Sequence, residues 1–306
     1  MVRVASAVQG GDPVNIGLID VDGKKFPNLA LMKISAWHKA QGDHVEWWFG
    51  FGDYDTVYKS KVFTFTPDVD DPFNAKKIIK GGTGYGLDNQ LPDEIEHIYP
   101  DYSLYPSLTK DTAFGFLTRG CPRGCSFCIV GEKEGLKSRK VADLSEWWNG
   151  QKHIELLDPN ILACPHHIEL LHQLAESKAW VNINQGIDAR LLTERNIEAL
   201  NAIKMKRLHF AWDFMEQSDA VVRGLERYKK YGAVKSDRRL VVYVLVNYNT
   251  TMEENLYRVY TLRDMGFDPY VMVYDKQNAP KEIRRLQRWC NNKFIFHKCD
   301  DFYDYE

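Results

Sequence analysis

Cysteine is scarce in this sequence: six residues among 306, and none before position 121. So thin a supply does not build a disulfide-stapled secreted scaffold, in which cysteine is dense. Long apolar runs are missing too. No window approaches 18 apolar residues, so no segment reads as a bilayer-spanning helix. The opening MVRVASAVQGGDP carries no apolar leader, and the cytoplasm is the expected location. Neither sign of charge is in excess. A formal net charge of −2 gives no global electrostatic case for nucleic acid or an anionic membrane. There is no repeat at solenoid spacing and no low-complexity tract, and the acidic, aromatic tail DDFYDYE is short. What is present in quantity is hydrophobic residue, 44% of the chain and rich in Phe, Tyr and Trp, enough for one large or two smaller domains.

Half of the scarce cysteines fall within eight residues. Thr118 to Cys128 reads TRGCPRGCSFC, with Cys121, Cys125 and Cys128 at C-x3-C-x2-C and aromatic Phe127 before the last. Three thiolates can hold three irons of a 4Fe–4S cube and leave the fourth iron open, whereas ferredoxin-type clusters use four cysteines. Structural zinc takes four ligands, with its cysteines in separated pairs rather than one triplet. The residues alone leave zinc and structural thiols open beside the iron–sulfur reading. Thiols that must stay reduced to bind iron again point to the cytoplasm.

From Thr112 onward, short apolar runs alternate with amphipathic stretches. The strands expected are Ala113–Leu117, His153–Leu157, Trp180–Asn184, Arg207–Trp212, Leu240–Val246 and Tyr270–Tyr274. Helical patterns start at Pro165, after Thr193, at Ser218, at the capping box Thr251-x-x-Glu254 and at Pro280, with glycine stops at Gly232 and Gly266. A shorter helix is expected around Leu144–Trp148. Six βα units call for a parallel sheet that curls into an open partial barrel. The cysteine loop follows the first of these strands, and ligands collect at the carboxyl ends of strands in such folds.

The first hundred residues read as a separate, small Rossmann-like sheet. Val14–Asp20, His44–Trp48, Lys61–Phe65 and Lys77–Ile79 are the expected strands, and Asn28–Ala40 and Pro92–Ile98 the helices. The connector Tyr99–Asp111 sets the expected domains at 1–105 and 106–306. The glycine loop GGTGYG, Gly81 to Gly86, reads as a turn or as a phosphate cradle.

The triplet resembles C-x3-C-x-aromatic-C, the motif of the radical S-adenosylmethionine (SAM) superfamily. That resemblance implies an α/β fold, a (β/α)6 partial barrel with a 4Fe–4S cluster in the loop after its first strand. It also implies reductive cleavage of SAM to a 5′-deoxyadenosyl radical that abstracts hydrogen from a substrate, a small molecule or an RNA. A one-electron reductant such as flavodoxin or ferredoxin is the implied partner. Phe127 matches the family aromatic beside the adenine. Many members carry G-G-E after the second strand for the SAM amino group; this chain has Asp158-Pro159-Asn160 there, with Asp158 the candidate acceptor. Strand three ends in NQGIDAR, which offers Gln185, Asp188 and Arg190, a guanidinium suited to a carboxylate. Asp213 and Asn247 end strands four and five, and Tyr274 and Asp275 end strand six. The bland reading of each is a helix cap or solvent contact.

The N-terminal layout resembles the cobalamin-binding subgroup of the superfamily, but the D-x-H-x-x-G signature is missing and His38 and His44 lack its context. Cobalamin is therefore not the favoured cofactor, and a cobalamin-dependent methyltransferase is an alternative reading. TRGCPRGCSFC is also similar to tRNA methylthiotransferases, but their second cluster needs three further N-terminal cysteines and residues 1–120 contain none, which argues against that chemistry. A non-catalytic iron–sulfur or zinc-stabilised nucleic-acid-binding module is the competing class. Cys164, Cys290 and Cys299 read as core thiols, and His166, His167 and His172 as solvent-facing. The basic stretch Lys281–Arg288 reads as a solvated helix face or an RNA-contacting edge.

Overall fold

The computed structural model describes residues 12–23 and 25–305. By compactness the chain divides into two units. One comprises the residues up to Gly115 together with Leu144–Gln151; the other comprises Phe116–Asp143 and the residues from Lys152 onward.

The first unit holds a four-stranded parallel sheet. Its strands are β1 (Asn15–Asp20), β2 (His44–Trp47), β3 (Tyr54–Ser60) and β4 (Ala75–Gly81), in the order β2-β1-β3-β4. Between β1 and β2 runs α1 (Leu29–Ala40), which begins where the Asn28 side chain accepts from the Leu31 N–H. Leu31 and Ile34 of α1 pack on Ile16 and Leu18 of β1 and on Ile95 of the short α2 (Asp93–Glu96), giving this Rossmann-like unit its core. Another short helix, α3 (Pro106–Thr109), follows.

One strand is misplaced in this unit. Lys61–Phe65 is a loop, and the strand lies just before it at Tyr54–Ser60. The run KVFTF alternates like a strand, but Phe63 and Phe65 stack on each other in the open, and the Asp22 carboxylate captures the Val62 and Phe63 N–H groups that a ladder would use. The true strand was hidden by its polarity. Lys59 is buried there only because Asp68 and Asp71 pair with its ammonium at 3.0 and 2.9 Å. The GGTGYG loop lies against this segment, with Gly84 N–H donating to the Lys61 carbonyl. Of the histidines, buried His38 has both ring nitrogens engaged, by Asp43 at 2.6 Å and Tyr58 at 3.0 Å.

A second sheet has six strands. These are β5 (Thr112–Gly115), β8 (His153–Leu156), β9 (Trp180–Ile187), β10 (Met205–Ala211), β11 (Leu240–Val246) and β12 (Asp268–Val273). Between them, β6 (Thr118–Arg119) and β7 (Arg139–Lys140) form a small antiparallel ladder of their own. The order β12-β11-β10-β9-β8-β5 is monotonic, and the ladders from β8 to β12 are parallel. Each strand lies beside its predecessor and the two edges do not pair, which is the topology of an open (β/α)6 barrel. Helices α5 (His167–Glu176), α6 (Glu194–Asn201), α7 (Ser218–Tyr231), α8 (Met252–Asp264) and α9 (Lys281–Asn291) follow the strands in turn. Short α4 (Val130–Glu134) follows the cysteines, and α10 (Lys293–Phe296) precedes the tail.

The central strand β11, LVVYVLV, is buried at six of seven positions, as a strand covered on both faces must be. Capping boxes start α6 at Thr193 and α8 at Thr251. The segment around Leu144 forms only a 3₁₀ turn, Leu144–Glu146. Among the described residues no helix is long and apolar enough to cross a membrane.

Candidate functional site

The three cysteines sit on a loop that is anchored at both ends. At its start, Glu134 of α4 accepts from Arg119 at 2.8 Å and from the Gly120 N–H at 2.9 Å. Gly120 has φ +83°, and a Cβ there would clash with the Lys137 carbonyl, so only glycine makes this bend. The Cys121 N–H donates to Gly135 and the Cys128 N–H to Cys125, which closes a turn across the triplet. Burial pushes the Cys125 thiol above the usual range, and Asp213, Cys121 and Cys128 push it further while Arg190 opposes them. The three thiols, Asp213 and Arg190 therefore share one electrostatic neighbourhood.

Residues after four different strands converge on this loop. After β8, the Asn160 amide donates to the Cys121 sulfur at 3.6 Å. Beyond β9, Asp188 takes Arg123 of the loop at 2.5 Å and Arg190 at 2.7 Å. Past β10, Phe214 packs on Phe127 with ring centres 5.6 Å apart. Following β11, Tyr248 donates to Ser126 at 2.7 Å and meets Phe127 edge to face. This convergence is what parallel βα units produce, since every strand ends at the same edge.

The expected site residues divide into several groups. Phe127 and Asp213 lie at the loop. Burial raises the Asp213 carboxyl to about 6, with Arg258 and Arg190 holding it from rising further. Asp188 and Arg190 also lie there, but the fork of Arg190 is filled by Asp188 and by Gln217, so the carboxylate it clamps is the chain's own. Burial would raise the Asp188 carboxyl; Arg190 and Arg123 outweigh it and hold it below the usual range.

Asp158, expected as an amino-group acceptor, is fully buried, and its oxygens take the Leu117 N–H at 2.7 Å and the Thr118 hydroxyl at 2.6 Å. It locks the strand end that leads into the loop. Asn247 spends its amide on the Tyr274 carbonyl at 2.8 Å and sits at φ +64°. Gln185 is exposed on β9. Cys164 and Cys290 are buried, the latter donating to the Pro269 carbonyl.

Several residues at the site escaped sequence reading. Arg258 of α8 is wholly buried and donates to the Trp212, Asp213 and Leu245 carbonyls at 2.8–2.9 Å, tying the ends of β10 and β11 together. In the sequence it stands four residues after Glu254 and looks like half of a surface helix pair. Asn160, Arg123 and Tyr248 carried a weak signal, each lying inside or beside a motif already singled out.

The donor set can be set against the two metals. Zinc takes thiolates at about 2.3 Å, which draws their sulfurs to within about 4 Å of one another. A cube instead binds each thiolate to a different iron. The amide aimed at Cys121 and the Arg190 guanidinium near Cys125 suit a negatively charged cluster, against the nearby Asp213 carboxyl.

The triplet on its anchored loop, at the carboxyl edge of the strands of an open α/β sheet, is the arrangement that the resemblance to the radical SAM superfamily implies. No protein-family model matches the chain. It is 26% identical over 217 residues to tRNA-2-methylthio-N(6)-dimethylallyladenosine synthase of Pseudoalteromonas atlantica, a match covering 64% of this chain and 44% of that protein. The match thus spans less than half the length of that relative.

Proposed function

We propose that this chain is a radical SAM enzyme whose substrate is a nucleoside in RNA. The observation that carries the reading is the shared neighbourhood of Cys121, Cys125, Cys128, Asp213 and Arg190 at one end of the barrel strands. Cys121, Cys125 and Cys128 would hold a 4Fe–4S cluster with one iron left for SAM. When bound, cluster and SAM supply one-electron cleavage of a sulfonium and hydrogen abstraction from the substrate.

The chain's own residues have three tasks. The ion-paired set Arg123–Asp188–Arg190 holds the loop to the end of β9 and keeps a net positive charge beside the thiolates. Phe127, Phe214 and Tyr248 form an aromatic wall that excludes water and accepts a planar ring. Asp213, half-buried and already held by a backbone hydrogen bond from Leu245, would accept a further hydrogen bond from a ligand. The RNA nucleoside is drawn from the relative, whose name is that of a modified tRNA nucleoside synthase. The reductant is a small one-electron carrier of the flavodoxin or ferredoxin kind.

Anaerobic reconstitution tests the reading. The expected result is about four irons per chain and, on reduction with SAM, formation of 5′-deoxyadenosine measured by chromatography. Cys125→Ala should lose most of the iron and all of the nucleoside product. Full nucleoside formation by the Cys125→Ala chain would contradict the assignment. Release of a modified nucleoside from bulk tRNA, read by mass spectrometry, tests the substrate class.

A further inference from the structure

We propose that the basic stripe of α9, with two of its guanidinium groups aligned by the C-terminal tail, grips the sugar-phosphate backbone of an RNA. The proposal deepens the reading of an RNA nucleoside as substrate and rests on it.

Lys281, Arg284, Arg285 and Arg288 stand at i, i+3, i+4 and i+7 of α9, so they share one stripe of the helix. The opposite face is fixed in the interior, where Ile283, Leu286 and Cys290 are buried. Lys281, Arg284 and Arg288 are exposed and Arg285 partly so, and among the described residues none of the four is ion-paired. Glu282, the one acid of the helix, lies off the stripe. Like charges at this spacing repel, and an anion that bridges them relieves the repulsion. The apolar face of α9 is already spent on the core, so the helix has nothing to offer a lipid surface.

The helix also stands where a polymer bound at the site would pass. β12 is the last strand of its sheet and has no neighbour on one side. Side chains of α9 take the backbone groups left free there. Asn291 accepts from the Val271 N–H at 2.8 Å and donates to its carbonyl at 3.0 Å, and Gln287 donates to the same carbonyl at 3.3 Å. The helix therefore lies along the open side of the sheet. Its N-terminal end follows Tyr274, whose ring meets that of Tyr248 at 4.8 Å. The stripe thus starts near the strand ends that carry the cysteine loop and leads away from them.

The tail aligns part of the stripe. Phe302 is fully buried against Trp289 of α9, which pins the tail to the helix. From there the Tyr305 ring lies 5.6 Å from the Arg285 guanidinium and 5.4 Å from that of Arg288. Arg285 spends one N–H on the Phe302 carbonyl. A guanidinium held by its face keeps its other in-plane donors for phosphate oxygens. Exposed Asp304 beside Tyr305 opposes an anion there, and four cations outweigh it. Contacts of this kind position the chain on RNA and carry affinity without reading sequence.

The test uses the full, reconstituted chain and a short fluorescein-labelled single-stranded RNA, with binding read by anisotropy across a salt series. Arg284→Gln with Arg288→Gln should weaken binding about tenfold at about 0.1 M salt and flatten the slope of log K against log salt by about 1.4, the share of two phosphates. Arg195→Gln with Arg223→Gln removes the same charge from exposed positions on α6 and α7 and should change neither quantity. Tyr305→Ala keeps every charge and should bind about threefold more weakly, the worth of a cation–π contact, at an unchanged slope. Equal losses in the two double variants would make the effect one of net charge and overturn the proposal. So would full binding by the α9 pair. Unchanged or tighter binding by Tyr305→Ala would overturn the aligning role of the tail. Absence of RNA binding by the unmodified chain would instead defeat the RNA reading itself, and the proposal with it.

Discussion

At the scale of single residues, Asp158 shows how position without partners misleads. Its place after the second barrel strand suggested a ligand contact, yet both oxygens serve Leu117 and Thr118 in the interior. Burial raises its pKa to about 7, with the Thr118 and Leu117 hydrogen bonds opposing. Because the folded value lies above the unfolded one, stability from this group is fully present below about pH 4 and is lost as pH rises towards 7. Asp158→Asn carries no such dependence and can still accept from Leu117 while donating to Thr118 Oγ1. The urea midpoint of Asp158→Asn should therefore gain on the unmodified chain between pH 4 and 7. A difference that stays flat across that range would refute the burial of this charge. Asp158→Ala should cost about 1–3 kcal/mol for each donor left without a partner, seen as a lower midpoint at every pH. The cysteine triplet was legible because its spacing is itself the signal. Arg258 and Asn160 were not, since their work depends on carbonyls and a sulfur brought from distant parts of the chain.

At the scale of elements, periodicity read the barrel well. The six alternating apolar runs became the six strands with ends shifted by at most three residues, and the Thr251 capping box starts α8 where its sequence said it would. The failure at Tyr54–Ser60 has a physical source: a strand carrying buried Lys59 does not look hydrophobic until its two aspartates are in place. Close approach between elements was equally invisible. Gly224 of α7 lies where a Cβ would clash with the Ala189 carbonyl, in the turn between Asp188 and Arg190. Gly224→Ala should force α7 away from that turn at a cost of about 1–3 kcal/mol, despite its better helix propensity. Thermal unfolding checks this, and a stabilised variant would contradict the packing. The same displacement should loosen the hold of Asp188 on Arg123 and slow iron uptake.

At the scale of the whole molecule, composition excluded a membrane-spanning helix and a disulfide scaffold, and alternation of strand and helix fixed the parallel class. Placement of the tail was beyond it. The basic stretch of α9, read as a solvated or RNA-contacting edge, carries the C-terminal aromatics: Arg285 stacks over Phe302 and Tyr305, and Arg288 over Tyr305. Lys281 and Arg284 remain exposed on that helix. The central claim, that three thiolates hold an iron–sulfur cube with a corner open to SAM, is tested most directly by the EPR spectrum of the reduced, reconstituted chain recorded with and without SAM. The expected result is a 4Fe–4S signal whose line shape changes when SAM is added. A spectrum without such a signal, from a chain that retains one tightly bound zinc, would contradict it.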